Sequence, residues 1–199
     1  YVDARESARL AQQTLLYVQA VDVTTNYSAS CPEQPRDLFR SLLQVPNLTK
    51  TKRLPVFCLL HVGMEVCLTT TLDQPYAVQD ATATVLEIHY AEHDAAAQQY
   101  MRSAAQPAEV LLDQLPVAVL VRLHDCKYVF LPCEPCGGCE AFNSLCERCG
   151  DTRKDLEGIF AVQPIPRSWK YDGPELKRQY ANVARRQLPL GPARALPLY

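Results

Sequence analysis

Glycine is scarce in this 199-residue chain, with seven in all, at positions 63, 137, 138, 150, 158, 173 and 191. None opens a Gly-x-x-x-x-Gly-Lys-Ser/Thr loop, whose backbone amides cradle phosphates while its Lys and hydroxyl serve the nucleotide and its metal. Phosphoryl transfer is mostly positioning and charge neutralisation, so the chain alone is expected to be inert toward ATP. Long apolar runs are also missing. The stretch from Leu115 to Val121 falls far short of the roughly 20 residues that cross a bilayer. The opening Tyr1-Val2-Asp3-Ala4-Arg5-Glu6 is polar and helix-like, unlike a secretory leader, and it lacks an initiator Met. No membrane partner is expected, and the chain reads as a fragment of something longer.

What is present begins with charge. The net charge of −2 favours no partner, but its distribution is uneven. Residues 1–150 hold 11 basic and 17 acidic side chains, whereas residues 151–199 hold 9 and 5. A basic end behind an acidic body is compatible with phosphate contact, and equally with an ordinary solvated surface. The odd count of nine Cys, five of them between Cys133 and Cys149, argues against a secreted disulfide framework. The triplets Asn26-Tyr27-Ser28 and Asn47-Leu48-Thr49 are common by chance and leave that reading unchanged. An intracellular, reducing compartment is expected.

Periodicity predicts a β-rich α+β fold. Ala4 to Thr14 reads as a helix, Leu15 to Val23 as a strand, and Leu38, Phe39, Leu42 and Leu43 as a short amphipathic helix. From Pro55 the pattern is that of a small, partly open barrel or meander. Its strands are expected at Val56–Leu60, Met64–Thr70, Ala83–Tyr90, Val117–Leu123 and Lys127–Leu131, then over Gly158–Pro166 and Asn182–Leu190. Gly63 is expected to supply the first turn. Glu92 to Gln114 reads as a surface insertion, partly helical. The organisation is therefore a helix-strand-helix segment over 1–54, then a β-unit over 55–199 with insertions at 91–115 and 132–151.

Cys133-x2-Cys136-x2-Cys139-x6-Cys146-x2-Cys149 is the strongest local chemical signal. Two Cys-x-x-Cys turns place four thiolates around a tetrahedral zinc ion. The expected ligands are Cys136, Cys139, Cys146 and Cys149, with Cys133 as alternate, in a compact knuckle given freedom by Gly137 and Gly138. Four thiolates saturate the metal, so its role would be structural. Cys133, Cys136 and Cys139 also carry the first spacings of an iron–sulfur run, but no fourth Cys follows at the expected distance. Free thiols on a loop are the plain alternative. Separately, His89-Tyr90-Ala91-Glu92-His93 matches the His-x-x-Glu-His of inverted zincin peptidases. That chemistry needs a helix, and Val85 to Tyr90 alternates as a strand does.

Two passages carry a family resemblance. Leu60-His61-Val62-Gly63-Met64-Glu65-Val66-Cys67-Leu68 resembles the Leu-x-x-Gly-Met-x-Val-x-Leu segment of PIF-type, RecD-like superfamily-one DNA helicases. In that family it opens an SH3-like barrel, the accessory 2B region, inserted in the second motor domain. Arg185-Arg186-Gln187-Leu188-Pro189-Leu190 resembles the family's returning Arg-x-Gln-apolar-Pro-Leu strand, and Ala193 and Ala195 fit the Ala-x-Ala that succeeds it in relatives. Pro197, Leu198 and Tyr199 depart from the Thr-Ile-His of relatives. Gln79-Asp80-Ala81-Thr82 stands where relatives carry an Asn-Gly turn.

The resemblance covers about two thirds of the chain. It implies a fragment of an ATP-dependent DNA helicase, nuclear or mitochondrial, with ATP and magnesium held only by the full-length parent. The implied partners are single-stranded DNA and the remaining motor domains. Implied phosphate contacts are Arg167, Lys170, Lys177, Arg185 and Arg186, with Trp169 and Tyr171 as stacking faces. The competing expectation is a zinc-stabilised protein-interaction module.

Overall fold

The computed structural model describes residues 2–24, 42, 51–103, 108–130, 153–171 and 181–193. The chain opens with helix α1 (Val2–Leu10). Strands β1 (Leu15–Gln19), β2 (Val21–Thr24), β3 (Phe57–Leu60), β4 (Glu65–Leu68) and β5 (Thr82–His89) follow, then helix α2 (Ala95–Arg102). The order closes with β6 (Glu109–Leu112), β7 (Ala118–Leu123), a 3₁₀ turn at Lys154–Leu156, β8 (Ile159–Val162), β9 (Ile165–Tyr171), β10 (Ala181–Gln187) and β11 (Leu190–Pro192). The fold is α+β and β-rich, as expected, built from open sheets with no closed barrel among the described residues. No described helix is long and apolar enough to cross a membrane.

α1 is amphipathic through Ala4 and Ala8, one turn apart and buried against the sheet. It ends earlier than expected. Gln12 adopts φ 54, and Gln13 N–H reaches back to Ala8 O at 2.9 Å, so a left-handed residue closes the last turn. His61, almost fully buried, ties α1 down. Its Nδ1 donates to Val62 O at 2.8 Å, and Nε2 lies 3.0 Å from Ser7 Oγ.

The strands form three sheets, ordered β3-β1-β6, β2-β10-β9 and β11-β4-β5-β7-β8. The chain crosses between sheets at short corners. β1 and β2, expected as one strand, part at Ala20, whose N–H still donates to Val56 O at 2.8 Å in the β1–β3 register before Val21 turns to β10. β8 and β9 part around Pro164, which has no N–H to offer a ladder, and β10 and β11 part at Leu188-Pro189. Strands before and after residue 54 share the first two sheets.

Two expectations need correction. The segment 91–115 is more than a surface insertion: α2 fits the expected helical part, but β6 pairs in parallel with β1, Tyr17 against Leu111. Lys127 to Phe130 is not a strand; it runs outside the ladders and turns its rings toward neighbouring aromatics. Of the helix expected around Leu38 to Leu43, only Leu42 is described, helical and fully buried.

In β5 the buried positions are Ala83, Val85 and Ile88, a parity break explained by a register shift between Val85 and Glu87. One extra residue flips the side-chain alternation, so both halves of the strand keep an apolar face inward. These residues join Met64, Val66, Leu68, Val119, Val121, Leu123, Leu188 and Leu190 in one core. Gly63 makes the expected turn at φ 82, its N–H bonded to Val85 O at 2.8 Å. After that hairpin, Asp80 takes φ 67, a left-handed geometry that Asp tolerates better than most residues.

Candidate nucleic-acid interface

The sheet β2-β10-β9 carries most of the residues implicated in nucleic-acid contact, and the alternation of side chains divides them. On β10, Val183, Arg185 and Gln187 point inward and are fully buried. Asn182, Ala184 and Arg186 point the other way. Register places Lys170 opposite Asn182, Ser168 opposite Ala184, and Pro166 opposite Arg186. Across β2 the same outer face presents Val21 and Val23, 49% and 54% exposed. Lys170 and Arg186 are therefore two exposed cations on one flat face, above a shallow depression of about 370 Å³ lined by Ser168, Lys170, Asn182 and Ala184 among others.

Arg185 does not belong to that surface, which corrects its assignment as a phosphate contact. Its guanidinium is fully buried and meets Asp22 bidentately, Nε to Oδ1 and Nη2 to Oδ2, both at 2.7 Å. Nη1 donates to Leu54 O at 3.3 Å and Nη2 to Leu42 O at 3.4 Å. The Trp169 ring lies 5.4 Å from the guanidinium carbon. A planar fork with five donors is suited to such a hub, and a Lys would leave most of these acceptors unmet.

Trp169 is half-buried against Leu42 and Val183, with Tyr171 beside it, in a small second core. Its ring is committed to packing and to Arg185. Arg167 is exposed at one end of β9 and donates through Nη2 to Thr70 Oγ1 at 3.4 Å. Lys177 and the five clustered cysteines from Cys133 to Cys149, including Cys136, Cys139 and Cys146, lie outside the described residues.

Gln187 went unnoticed in the sequence as a structural residue. Its amide Nε2 donates to Val18 O at 2.9 Å and Val56 O at 3.4 Å, while Oε1 accepts from Leu188 N–H at 2.8 Å. Arg-x-Gln is thus a buried pair with a solvent-facing residue between. Asp94 was equally silent: nearly fully buried, it caps α2 through Ala97 N–H at 2.8 Å and accepts from Gln114 N–H at 2.9 Å.

The peptidase reading of His89 to His93 fails on geometry. His89 ends β5 and His93 sits in the following turn, both exposed, so the four-residue spacing does not bring the two rings onto one helical face. Among the described residues there is no grouping of His, Cys, Asp or Glu able to hold a metal. The described thiols suit packing. Burial pushes Cys58 up to about 12, and raises Cys67 as well. Both face carbonyls of β11, Cys58 Sγ 3.6 Å from Leu190 O and Cys67 Sγ 3.5 Å from Gly191 O.

No family model and no curated protein matches the chain. Among solved structures it is similar to the crystal structure of Pif1 helicase from Candida albicans, at 18% identity and a TM-score of 0.42. The match covers 98% of this chain and 33% of the other, so the chain spans about one third of that helicase's length.

Proposed function

We propose that this chain is the accessory, DNA-contacting part of a PIF-like ATP-dependent DNA helicase, working beside motor domains that hold ATP and magnesium. One observation carries the reading. The two motif passages, far apart in sequence, meet where the second one ends: its Leu190 opens β11 opposite Leu68 of β4, and the pairing runs on through Gly191 opposite Cys67 and Pro192 opposite Val66. Thr69 N–H also donates to Pro189 O at 2.9 Å. Motifs that match a family in order and also meet in one sheet support a common architecture better than either match alone. The five-stranded sheet would then be the SH3-like accessory barrel, and the compartment nuclear or mitochondrial.

On this reading the phosphate contacts are Lys170 and Arg186 on the outer face, with Arg167, which lies opposite Arg185 and turns toward Thr70, and Lys177 in addition. Binding of a labelled oligo(dT), followed by anisotropy, should weaken steeply as salt rises. For single strands each phosphate contact contributes about 0.7 to the slope of log K against log salt. Lys170→Ala with Arg186→Ala should therefore lower that slope by about 1.4. An unchanged slope would remove these two residues from the interface. The exposed Val21 and Val23 on the same face favour a second reading, a zinc-stabilised module that docks a protein. Its binding would depend little on salt.

A structural zinc ion held by Cys136, Cys139, Cys146 and Cys149, with Cys133 as alternate, is proposed on ligand spacing. Purified protein should carry one zinc per chain by atomic absorption, and Cys146→Ser with Cys149→Ser should remove it.

A further inference from the structure

Four aromatic rings that the proposed interface leaves unused form a cluster beside the five-stranded sheet, Tyr76 also meeting Phe130 edge-on at 6.1 Å. Tyr76 and Tyr128 lie face to face, with centroids 4.2 Å apart and planes at 16°. Phe130 meets Tyr128 edge-on at 4.7 Å, and Phe160 on β8 meets Phe130 at 4.8 Å. The inner end of this cluster is anchored on the core, since Phe130 and Phe160 both pack against it. The outer end is Tyr76, 41% exposed, so the stack terminates at solvent.

The loop that presents Tyr76 is braced. Ala77 N–H donates to Asp73 O at 2.8 Å, Leu72 N–H to Ala77 O at 2.9 Å, and Gln79 N–H to Thr71 Oγ1 at 3.1 Å. Tyr128 is held from behind, its carbonyl accepting from Gly158 N–H at 2.9 Å. An aromatic ring held in place this way loses little freedom when a second flat ring stacks on it. Cationic groups flank the same loop. The exposed Arg167 reaches Thr70 at its start, and Arg53 lies 3.6 Å from Asp80 at its end, offsetting that carboxylate.

We propose that Tyr76 is a stacking face for an unpaired base of a single strand whose phosphates pass Arg167; this rests on the DNA-contacting reading of the chain. Every base has a π-face, so such a contact tolerates any sequence, while the backbone is held by charge. The sequence pointed instead to Trp169, whose ring serves the second core.

The test compares oligo(dT) with an abasic oligomer of equal length, which has the same phosphates and no bases. The wild-type chain should bind oligo(dT) about tenfold more tightly. Tyr76→Ala should erase that preference while leaving the salt slope unchanged. Tyr76→Trp should keep it and show fluorescence quenching by oligo(dT) beyond that of Trp169 in the wild type; should the Ala variant fail to fold, this quenching decides alone. A preference that survives in Tyr76→Ala, a wild type that binds both oligomers equally, or a Tyr76→Trp variant whose added fluorescence does not respond would overturn the stacking role and leave phosphate contact standing. Failure of both oligomers to bind would overturn the DNA reading and the stacking role together.

Discussion

Replacing Arg185 with Met should destabilise the chain by about 3–5 kcal/mol, because Asp22 would be left in a site only 9% exposed with no cation to meet it. Folded domains are commonly stable by about 5–15 kcal/mol, so much of the margin would vanish. Equilibrium urea unfolding measures the loss. The double variant Arg185→Met with Asp22→Leu should recover most of it, since removing both charges avoids the uncompensated one. High salt should alter the wild-type stability little, because the pair is shielded from solvent ions. A loss under about 1 kcal/mol in the single variant would mean that the Arg185 hub contributes little to folding.

The second large effect belongs to Gly158→Ala. Gly158 has φ +71, and an added Cβ would lie 2.7 Å from Leu123 O and 2.9 Å from Cys126 O. Gly158 cannot easily back away from them: it donates its N–H to Tyr128 O at 2.9 Å and accepts from Leu123 N–H at 2.8 Å. Strain and overpacking together should cost about 2–5 kcal/mol, a fall in Tm of roughly 5–15 °C. Gly63→Ala is the matched control. Its φ is +82, but no atom lies within 4 Å of the added Cβ, so only strain remains, about 1–2 kcal/mol. Equal melting shifts for the two variants would show that contact at Gly158 is absorbed.

Much of the strand content was legible in the sequence because alternation marks a half-buried strand wherever its partner lies. β3, β4, β5 and β7 fall within a residue or two of their expected places. Partner choice left no local trace. β1 and β2 form one apolar run, and only their pairing in different sheets separates them at Ala20. β6 has four residues behind an Ala-rich helix, too few for alternation to stand out, and its parallel partner lies far away in the chain.

The candidate interface was legible as a cluster of basic and aromatic residues, not as a surface. Arg185 and Arg186 are neighbours of identical chemistry, and one-residue parity sends the first into the core and the second to solvent. Trp169 drew attention as the sole Trp, yet size and burial go together more readily than size and exposure. Tyr76 had no such prominence. Its value comes from Tyr128 beneath it, a contact between residues far apart in the chain that periodicity cannot register.

The Asp22–Arg185 pair also sets a schedule. Its partners are 163 residues apart, and the described neighbour of β2 is β10. At roughly 5–20 residues per second, a ribosome needs about 10–30 s to deliver Arg185 after Asp22. Throughout that interval the ladder groups of β2 have no β10 to pair with. The middle sheet therefore closes late, since β2 and β9 are joined only through β10, and until then β2 offers an open strand edge.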